Sequence, residues 1–399
     1  MRIEHWMPYL LLFLSALATA LLTTPLAKRI AWRVDAVDYP EKRRINKTPI
    51  PRMGGIAVFL GLAVALVVQV IGYHHFGWPF ALVPPRNHAI NYPLLAIAAL
   101  IIFITGLIDD MKSLKPLQKL AGQVLAATIA AASGLVIGNI VNPFGVGFID
   151  LGIWTYPITV IYLVAYVNIF NLIDGLDGLA SGIAIIASFT MFILAFGAGR
   201  FDAAGLSIAL AGASLGFLRY NFHPASIFLG DSGSMLIGFI LGTISLLNVT
   251  RIAGLTTIIV PLVVAGIPIL DTFSAIIRRS RAHVSIGQAD RGHIHHRLIA
   301  EGFDQRQAVL LMYAWTVILC VGSYVMTQVE VWPRILIFAL LIVISALFCR
   351  HLHLFEPVLL HHQDPMTGDD ELITPDDPAF EDEENKLQHE HKDHHKHSL

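Results

Sequence analysis

The chain passes from one long apolar run into the next at residues 168–178, which read Asn-Ile-Phe-Asn-Leu-Ile-Asp-Gly-Leu-Asp-Gly. Four polar side chains recur there at intervals of three residues: Asn168, Asn171, Asp174 and Asp177. Because residues three and four apart are neighbours on a helix, this spacing predicts that the four lie close to one edge. Two carboxylates and two amides at a membrane boundary are costly unless something binds them, which favours a functional site. The alternative is an ordinary turn in which these side chains cap two membrane helices.

The composition is that of a membrane protein. Of the 399 residues, 55% are hydrophobic and 14% are charged, and the mean hydropathy is +0.65, whereas soluble domains carry about 25% charged residues. We therefore predict an all-α polytopic membrane protein with no large soluble domain. Cys320 and Cys349 both lie inside apolar runs, which indicates neither a disulfide framework nor a metal site. Residues 8–25 resemble a signal peptide, but many further spans follow, so we expect an uncleaved first helix.

Apolar runs long enough to cross a bilayer, about 20 residues, occur eleven times in the sequence. Lys and Arg are divided unequally between the loops, with 22 on one side and five on the other. This bias predicts an outer N-terminus and a cytoplasmic C-terminus. We expect a membrane domain over residues 1–350, which carries any catalytic site, and a disordered acidic, His-rich cytoplasmic tail over residues 351–399. Residues 142–150 are expected to form a small hairpin. The predicted spans are 8–25, 54–73, 92–108, 119–140, 153–173, 178–197, 203–218, 232–249, 252–277, 307–327 and 331–349.

Three further polar clusters fall on the same predicted side of the membrane. Asp109 and Asp110 end the third span, and residues 228–234, which read Phe-Leu-Gly-Asp-Ser-Gly-Ser, precede the eighth. Residues 290–297, which read Asp-Arg-Gly-His-Ile-His-His-Arg, lie in the last large loop. Each cluster alone is typical of a capped or solvated turn, but four clusters on one face favour a shared site. That face would hold the carboxylates of Asp109, Asp110, Asp174, Asp177 and Asp231.

The residue types indicate phosphate chemistry. Hard carboxylate oxygens are suited to Mg²⁺, which usually joins one or two carboxylates to substrate phosphates, with Mn²⁺ as the alternative ion. Arg and His beside them are suited to phosphate oxygens, and a helix that begins after Gly230 would favour an anion at its N-terminus. The chain has no P-loop motif, and His293 and His296 lack a third spaced ligand for zinc. We therefore predict a Mg²⁺-dependent phosphoryl-type transfer from a water-soluble diphosphate compound to an acceptor in the bilayer.

At these positions the chain resembles the polyprenyl-phosphate N-acetylhexosamine-1-phosphate transferases. Within that family it is similar to the branch that transfers GlcNAc-1-phosphate from UDP-GlcNAc to undecaprenyl phosphate. The resemblance covers about residues 20–350 and rests on five ordered motifs: 51–55 (Pro-Arg-Met-Gly-Gly), 106–110 (Gly-Leu-Ile-Asp-Asp), 168–178, 228–234 and 293–296 (His-Ile-His-His). It implies that the lipid phosphate attacks the β-phosphorus of the UDP-sugar and releases UMP. It also implies eleven helices in the bacterial cytoplasmic membrane, with the active site on the cytoplasmic face. The implied partners are a UDP-sugar, a polyprenyl phosphate lipid, the membrane and, by analogy, a second copy in a homodimer; no nucleic acid is expected.

The resemblance further implies a role for each matching side chain. Asp231 would be the main Mg²⁺ ligand, and Asp109 would deprotonate or orient the lipid phosphate with Asp110 beside it. The nucleotide or the metal-bound diphosphate would be held by Asn171, Asp174 and Asp177. Phe228 would stack on uracil, and Asn221 would hydrogen-bond it. Phosphate charge would be neutralised by Lys47, Lys112, Arg291, His293, His295 and His296.

The sequence leaves alternatives for the donor substrate, the class of protein, the reaction route and the role of Asp271. A sister branch that uses UDP-MurNAc-pentapeptide typically has three consecutive histidines, whereas Ile294 interrupts them here, which favours the GlcNAc branch. A transporter would carry its carboxylates near the membrane midplane, whereas these lie at predicted helix ends. We favour a one-step attack over an aspartyl-phosphate intermediate, because adjacent carboxylates are better suited to a base and a metal site. Asp271, about 10 Å into a predicted span, is either functional or a buried carboxylate bonded to a neighbouring helix.

Overall fold

A computed structural model describes residues 6–40, 48–78, 90–141, 148–249, 262–281, 293–352, 354, 360–363 and 370–373. Within these ranges, nine helices are long and apolar enough to cross a bilayer. The prediction of an all-α polytopic membrane protein is therefore confirmed. The helices are α1 (Met7–Arg33), α2 (Gly55–Phe76), α3 (Tyr92–Lys112), α4 (Pro116–Ala132), α5 (Thr155–Ile173), α6 (Leu179–Gly197), α7 (Phe201–Asn221), α8 (Gly230–Val249), α9 (Gly266–Arg281), α10 (Ile294–Ala300), α11 (Gln305–Gln328) and α12 (Val331–His351).

Three of the eleven predicted spans differ from the structure or extend beyond its described part. The span predicted over 8–25 is too short, because α1 continues to Arg33. The span predicted over 119–140 is wrong in length, because α4 has 17 residues and ends at Ala132. A helix of that length covers about 25 Å, less than the roughly 30 Å hydrocarbon core. The span predicted over 252–277 begins in residues that lie outside the described ranges, and α9 occupies its second half. The count of eleven and the outer N-terminus therefore stay predictions.

Short pairs of antiparallel strands lie in the segments that connect the helices. The predicted hairpin near 142–150 is confirmed as β3 (Asn139–Val141) paired with β4 (Phe148–Asp150), although residues 142–147 lie outside the described ranges. A second antiparallel pair joins β1 (Val37–Asp38) to β2 (Ile50–Pro51).

The tail that the sequence predicts to be disordered also contains paired residues. Strand β5 (Leu360–Gln363) is antiparallel to β6 (Asp370–Ile373), with His362 opposite Glu371 and His361 opposite Leu372. The expectation of a disordered tail stays a prediction, and residues 374–399 lie outside the described ranges.

The centre of the bundle is built around α7 and α8. Helix α7 packs against α1, α2, α6 and α8, and α8 packs against α3 and α5. The Gly- and Ala-rich sequence of α7 follows from this position, because a Cβ at Gly212 or Gly216 would meet backbone atoms of α1. Small residues allow membrane helices to approach closely. The span predicted over 203–218 is confirmed as helix α7. It is poor in large apolar residues because it packs closely against its neighbours.

Four helix termini meet at one end of the bundle. Helices α3 and α5 end there, whereas α4 and α8 begin there. Contacts join α3 to α4 and α8, and α5 to α4 and α8. The polar residues of the predicted site lie in these terminal turns, so the packing of four helices brings together groups that are far apart in the sequence.

Candidate active site

The first turn of α8 is fixed by Asp110. This carboxylate is buried, and it accepts hydrogen bonds from the backbone N–H of Asp231 (2.7 Å), the backbone N–H of Ser232 (3.1 Å) and the Ser232 hydroxyl (2.5 Å). Gly230 begins this turn with φ +73°, and a Cβ there would lie 2.6 Å from an Asp110 carboxylate oxygen. Since the first N–H groups of a helix have no intrahelical acceptor, Asp110 supplies one from α3. These contacts make Asp110 a positioning residue for Asp231.

Lys119 is the centre of the polar cluster. Its ammonium lies 2.9 Å from Asp109 Oδ2 and 2.7 Å from Asp231 Oδ1, and it donates to Asn171 Oδ1 at 3.0 Å. The carboxylates of Asp109 and Asp231 therefore share one ammonium. A single cation from α4 therefore joins the ends of α3, α5 and α8.

The two asparagines of the 168–178 stretch face neighbouring helices. Asn171 donates its amide N–H to Asp231 Oδ1 and to the Ser234 hydroxyl, the latter at 2.9 Å. Asn168 and Gln123 form a reciprocal amide pair, with N···O distances of 2.7 and 3.3 Å. Both asparagines lie on the predicted edge of α5, and their partners are on α4 and α8. The pair one turn deeper in the bundle helps to hold Lys119 and Asn171 in register.

Asp174 follows the last residue of α5 and is partly buried. Within the described residues it makes no hydrogen bond or ion pair. Burial raises the pKa of its carboxyl well above the usual range, and the negative charges of Asp231, Asp110 and Asp177 add to this effect. An uncompensated carboxyl beside three others is a place where a bound cation would be favourable.

Asp177 and Asn221 are bonded to the loop between α7 and α8. Asp177 Oδ2 lies 2.8 Å from His223 Nδ1 and accepts from the backbone N–H of Ala225 at 3.0 Å. Asn221 is buried, accepts from the Ser181 hydroxyl at 2.9 Å and donates to the Ile227 carbonyl at 3.1 Å. These contacts stabilise the loop that precedes α8. The roles in substrate binding that the sequence suggests for both residues stay predictions.

Phe228 is held in place by the glycine-rich motif at residues 51–55. Its N–H donates to the Pro51 carbonyl at 2.8 Å, and its carbonyl accepts from Gly54 N–H at 3.0 Å. Gly55 N–H then donates to the Leu229 carbonyl at 2.9 Å. The motif therefore shapes the approach to α8, and the partly buried Phe228 ring lies beside the first turn of that helix.

The His loop is anchored by Asp271 of α9. Asp271 is buried, its Oδ2 lies 2.8 Å from His293 Nδ1, and its Oδ1 accepts from Ile294 N–H at 2.7 Å. This geometry supports the alternative in which Asp271 is a buried carboxylate bonded to a neighbouring element. His296 lies in α10, as does His295, of whose side chain the structure gives no description. Lys47 and Arg291 lie outside the described residues.

The sequence analysis missed Lys119 as a site residue and counted it only as a loop cation. One signal was present, because Lys119 and Gln123 are four residues apart at the start of an otherwise apolar run. That spacing places two polar side chains on one helix face. The same face carries the cation of the cluster and the partner of Asn168.

The donor set fits a hard divalent cation only together with a substrate. Among the described residues, no group of three or more His, Cys, Asp or Glu side chains is arranged to hold a metal ion. Mg²⁺ is usually bound by one or two carboxylates with the remaining positions taken by water and substrate phosphates. Asp231 offers a partly exposed carboxylate at the mouth of the cluster, with 26% of its side chain accessible. Asp231, and Asp174, to which no described residue gives a partner, stay the predicted protein ligands for an ion that arrives with a diphosphate.

Replacing Gly106 by Ala is expected to disturb the first turn of α8. A Cβ at Gly106 would lie 2.5 Å from the Asp231 carbonyl oxygen and 2.5 Å from Ser232 Cα. Overpacking of this kind costs about 1–3 kcal/mol, and misplacing a catalytic group by about 1 Å lowers activity on the order of 10²-fold. The measurements are the thermal midpoint and the turnover of the purified enzyme. Gly197→Ala is the matched control, because a Cβ there meets no atom within 4 Å; equal behaviour of the two variants would contradict the expectation.

The structure is that of an integral membrane protein whose helix bundle carries carboxylates, an amide and an ammonium together at one end. A family model described as Glycosyl transferase family 4 matches residues 92–249, which include Asp109, Asn171 and Asp231. The chain belongs to this family, the polyprenyl-phosphate sugar-1-phosphate transferases.

Relatives named as sugar-phosphate transferases match most of the chain. A Bacillus subtilis protein named probable undecaprenyl-phosphate N-acetylglucosaminyl 1-phosphate transferase is 35% identical over 85% of this chain and 91% of its own length. A Mycolicibacterium smegmatis decaprenyl-phosphate N-acetylglucosaminephosphotransferase is 36% identical over 78% of this chain and 81% of its own. A Moorella thermoacetica phospho-N-acetylmuramoyl-pentapeptide-transferase is 32% identical over 79% of this chain and 98% of its own. The predicted family is therefore confirmed.

Proposed function

We propose that this chain transfers N-acetylglucosamine-1-phosphate from UDP-GlcNAc to undecaprenyl phosphate. The products are undecaprenyl-diphospho-GlcNAc and UMP, and the product lipid would initiate a cell-envelope polysaccharide. The observation that carries the proposal is the cluster of Asp109, Asp231, Asn171 and Lys119 at the start of α8. The names of the Bacillus and Mycolicibacterium relatives support the same reaction class and donor sugar.

The chemistry requires one phosphorus–oxygen bond to form and one to break. An oxygen of the lipid phosphate attacks the β-phosphorus of the UDP-sugar, and the bond from that phosphorus to the bridging oxygen breaks. UMP leaves with the bridging oxygen, so the reaction needs no external reductant or oxidant. Such a transfer depends on positioning and on neutralisation of charge more than on covalent chemistry.

The described side chains would divide these tasks. Lys119 supplies a fixed positive charge beside the diphosphate. Asp109, joined to that ammonium, would orient the lipid phosphate or take its proton. Asp110 and Asn171 fix the position of Asp231. Asp231 and Asp174 would hold Mg²⁺, which, when bound with the donor, supplies positive charge to the phosphate oxygens.

The placement of the carboxylates favours an enzyme over a transporter. Asp109 and Asp110 lie in the last turn of α3 and Asp231 lies in the first turn of α8. A transporter is expected to carry its ion site near the midplane on interrupted helices. We also propose that the protein lies in the bacterial cytoplasmic membrane with this end of the bundle at the cytoplasmic face, where the donor nucleotide is available; the division of Lys and Arg between the loops supports this orientation.

The donor is tested by UMP release from the purified enzyme with undecaprenyl phosphate and Mg²⁺. UDP-GlcNAc and UDP-MurNAc-pentapeptide are offered separately. We expect UMP from UDP-GlcNAc only, and its loss when Mg²⁺ is removed with a chelator. UMP from the pentapeptide donor alone would preserve the mechanism but would assign the chain to the branch of the Moorella relative. No UMP from either donor with a folded protein would overturn the proposal.

A further inference from the structure

A groove outside the acidic cluster runs along the bundle between α1 and α7. Its cavity is about 630 Å³, which is within the range of ligand pockets. In the membrane part it is lined by leucines of both helices, among them Leu17, Leu21 and Leu215, and Leu215 is 38% exposed. Toward the end of the bundle that carries the active site, the lining changes to Arg219, Tyr220 and His223. The groove is therefore apolar along its length and polar at one end.

The polar end carries a positive charge that no described residue compensates. Arg219 lies in the last turn of α7, it is exposed, and the described part of the chain offers it no hydrogen-bond or ion-pair partner. His223 is 39% exposed and uses its Nδ1 for Asp177. The nearby carboxylate of Asp177 is thus already bonded to His223 and to the Ala225 N–H. A guanidinium at a membrane interface is a preferred partner of a phosphate group.

We propose that this groove binds an anionic phospholipid of the bilayer. The phosphate of the headgroup is held by Arg219 with His223 beside it, and an acyl chain lies along the leucines of α1 and α7. The occupant differs from the acceptor substrate, because the acidic cluster is built on α3, α4, α5 and α8. The phospholipid is connected to the site through His223, whose hydrogen bond to Asp177 joins this loop to the turn before α6.

The proposal is tested on the full chain in detergent, with phosphatidylglycerol as the probe and phosphatidylcholine as the zwitterionic comparison. Native mass spectrometry counts the lipids that each protein retains, and the thermal midpoint is measured across a lipid titration. We expect one phosphatidylglycerol to bind more tightly than phosphatidylcholine. Arg219→Gln is expected to weaken that binding about five-fold, as the loss of one interfacial basic residue implies. Arg219→Lys is expected to keep most of it.

Two further variants separate a built site from the lipid that surrounds any membrane protein. Leu215→Trp is expected to fill the apolar part and reduce binding without altering the headgroup contacts. Arg33→Gln is the matched control, because Arg33 is an exposed cation in the last turn of α1 and does not line the groove. Equal retention of phosphatidylglycerol by wild type, Arg219→Gln and Leu215→Trp would overturn the proposal. Tighter binding of undecaprenyl phosphate than of phosphatidylglycerol, lost in the same two variants, would also overturn it, since the groove would then hold the acceptor lipid. These readouts do not depend on turnover, so they test the groove separately from the proposed reaction.

Discussion

Replacing Asp231 by Asn is expected to lower UMP release on the order of 10³-fold, the scale seen when one preorganised charge-stabilising group is removed. The amide oxygen of Asn can still accept from Lys119 and Asn171, so the packing of α8 is expected to survive. What is lost is the negative charge of a carboxylate that is both fixed by its neighbours and partly open to a ligand. Because Asn has nearly the same size and shape as Asp, this variant tests the effect of the charge of Asp231 alone.

The measurement has two parts. UMP release gives the effect on turnover, and the thermal midpoint with and without Mg²⁺ plus UDP-GlcNAc gives the effect on binding. A ligand that binds only the folded state raises the midpoint, and we expect that rise in the wild type and little of it in the variant. Glu330→Gln is the control, because Glu330 is an exposed carboxylate at the start of α12 that makes no capping hydrogen bond with its side chain. Unchanged turnover in Asp231→Asn would remove Asp231 from the site.

The end of the bundle that carries the site could be predicted from the sequence. Polar residues at the boundaries of apolar runs lie at one of the two membrane surfaces. The division of Lys and Arg between the loops assigned Asp109, Asp174 and Asp231 to the same surface. The structure brings these residues to the same end because α3 and α5 end where α8 begins. The predicted ends of the spans and their orientation are therefore sufficient to predict which end of the bundle carries the site.

The contacts within the site could not be predicted in the same way. The pairing of Asp110 with the first turn of α8 depends on how closely α3 approaches α8, which Gly106 permits. The sequence presents Asp109 and Asp110 as equivalent neighbours, whereas the structure gives one to Lys119 and the other to backbone N–H groups. Successive residues on a helix point in different directions, but which direction faces which helix is decided by tertiary packing. The same limit explains the predicted span 119–140, since hydropathy alone does not show that α4 ends at Ala132.

Lys119→Met is expected to have the second large effect, and it tests whether this ammonium serves structure as well as catalysis. The ammonium contacts the carboxylates of both Asp109 and Asp231. Removing one partner of a buried ionic group typically costs about 3–5 kcal/mol, because the remaining charge is left uncompensated. We therefore expect a lower thermal midpoint and a fall in UMP release on the order of 10³-fold, since a fixed charge beside the diphosphate is also lost.

The response to Mg²⁺ distinguishes these two contributions. In the wild type, Lys119 occupies one oxygen of Asp231 and offsets part of the negative charge of the two carboxylates, so Mg²⁺ without donor is expected to raise the thermal midpoint only slightly. In Lys119→Met, the two carboxylates lack their cation, so Mg²⁺ alone is expected to raise the midpoint more than in the wild type, while turnover stays low. Lys115→Met is the matched control, because Lys115 is exposed and lies four residues earlier, just before the first turn of α4. If Lys119→Met and the wild type show the same midpoint and the same response to Mg²⁺, the ammonium does not balance the carboxylates, and the arrangement of charge proposed for this site is wrong.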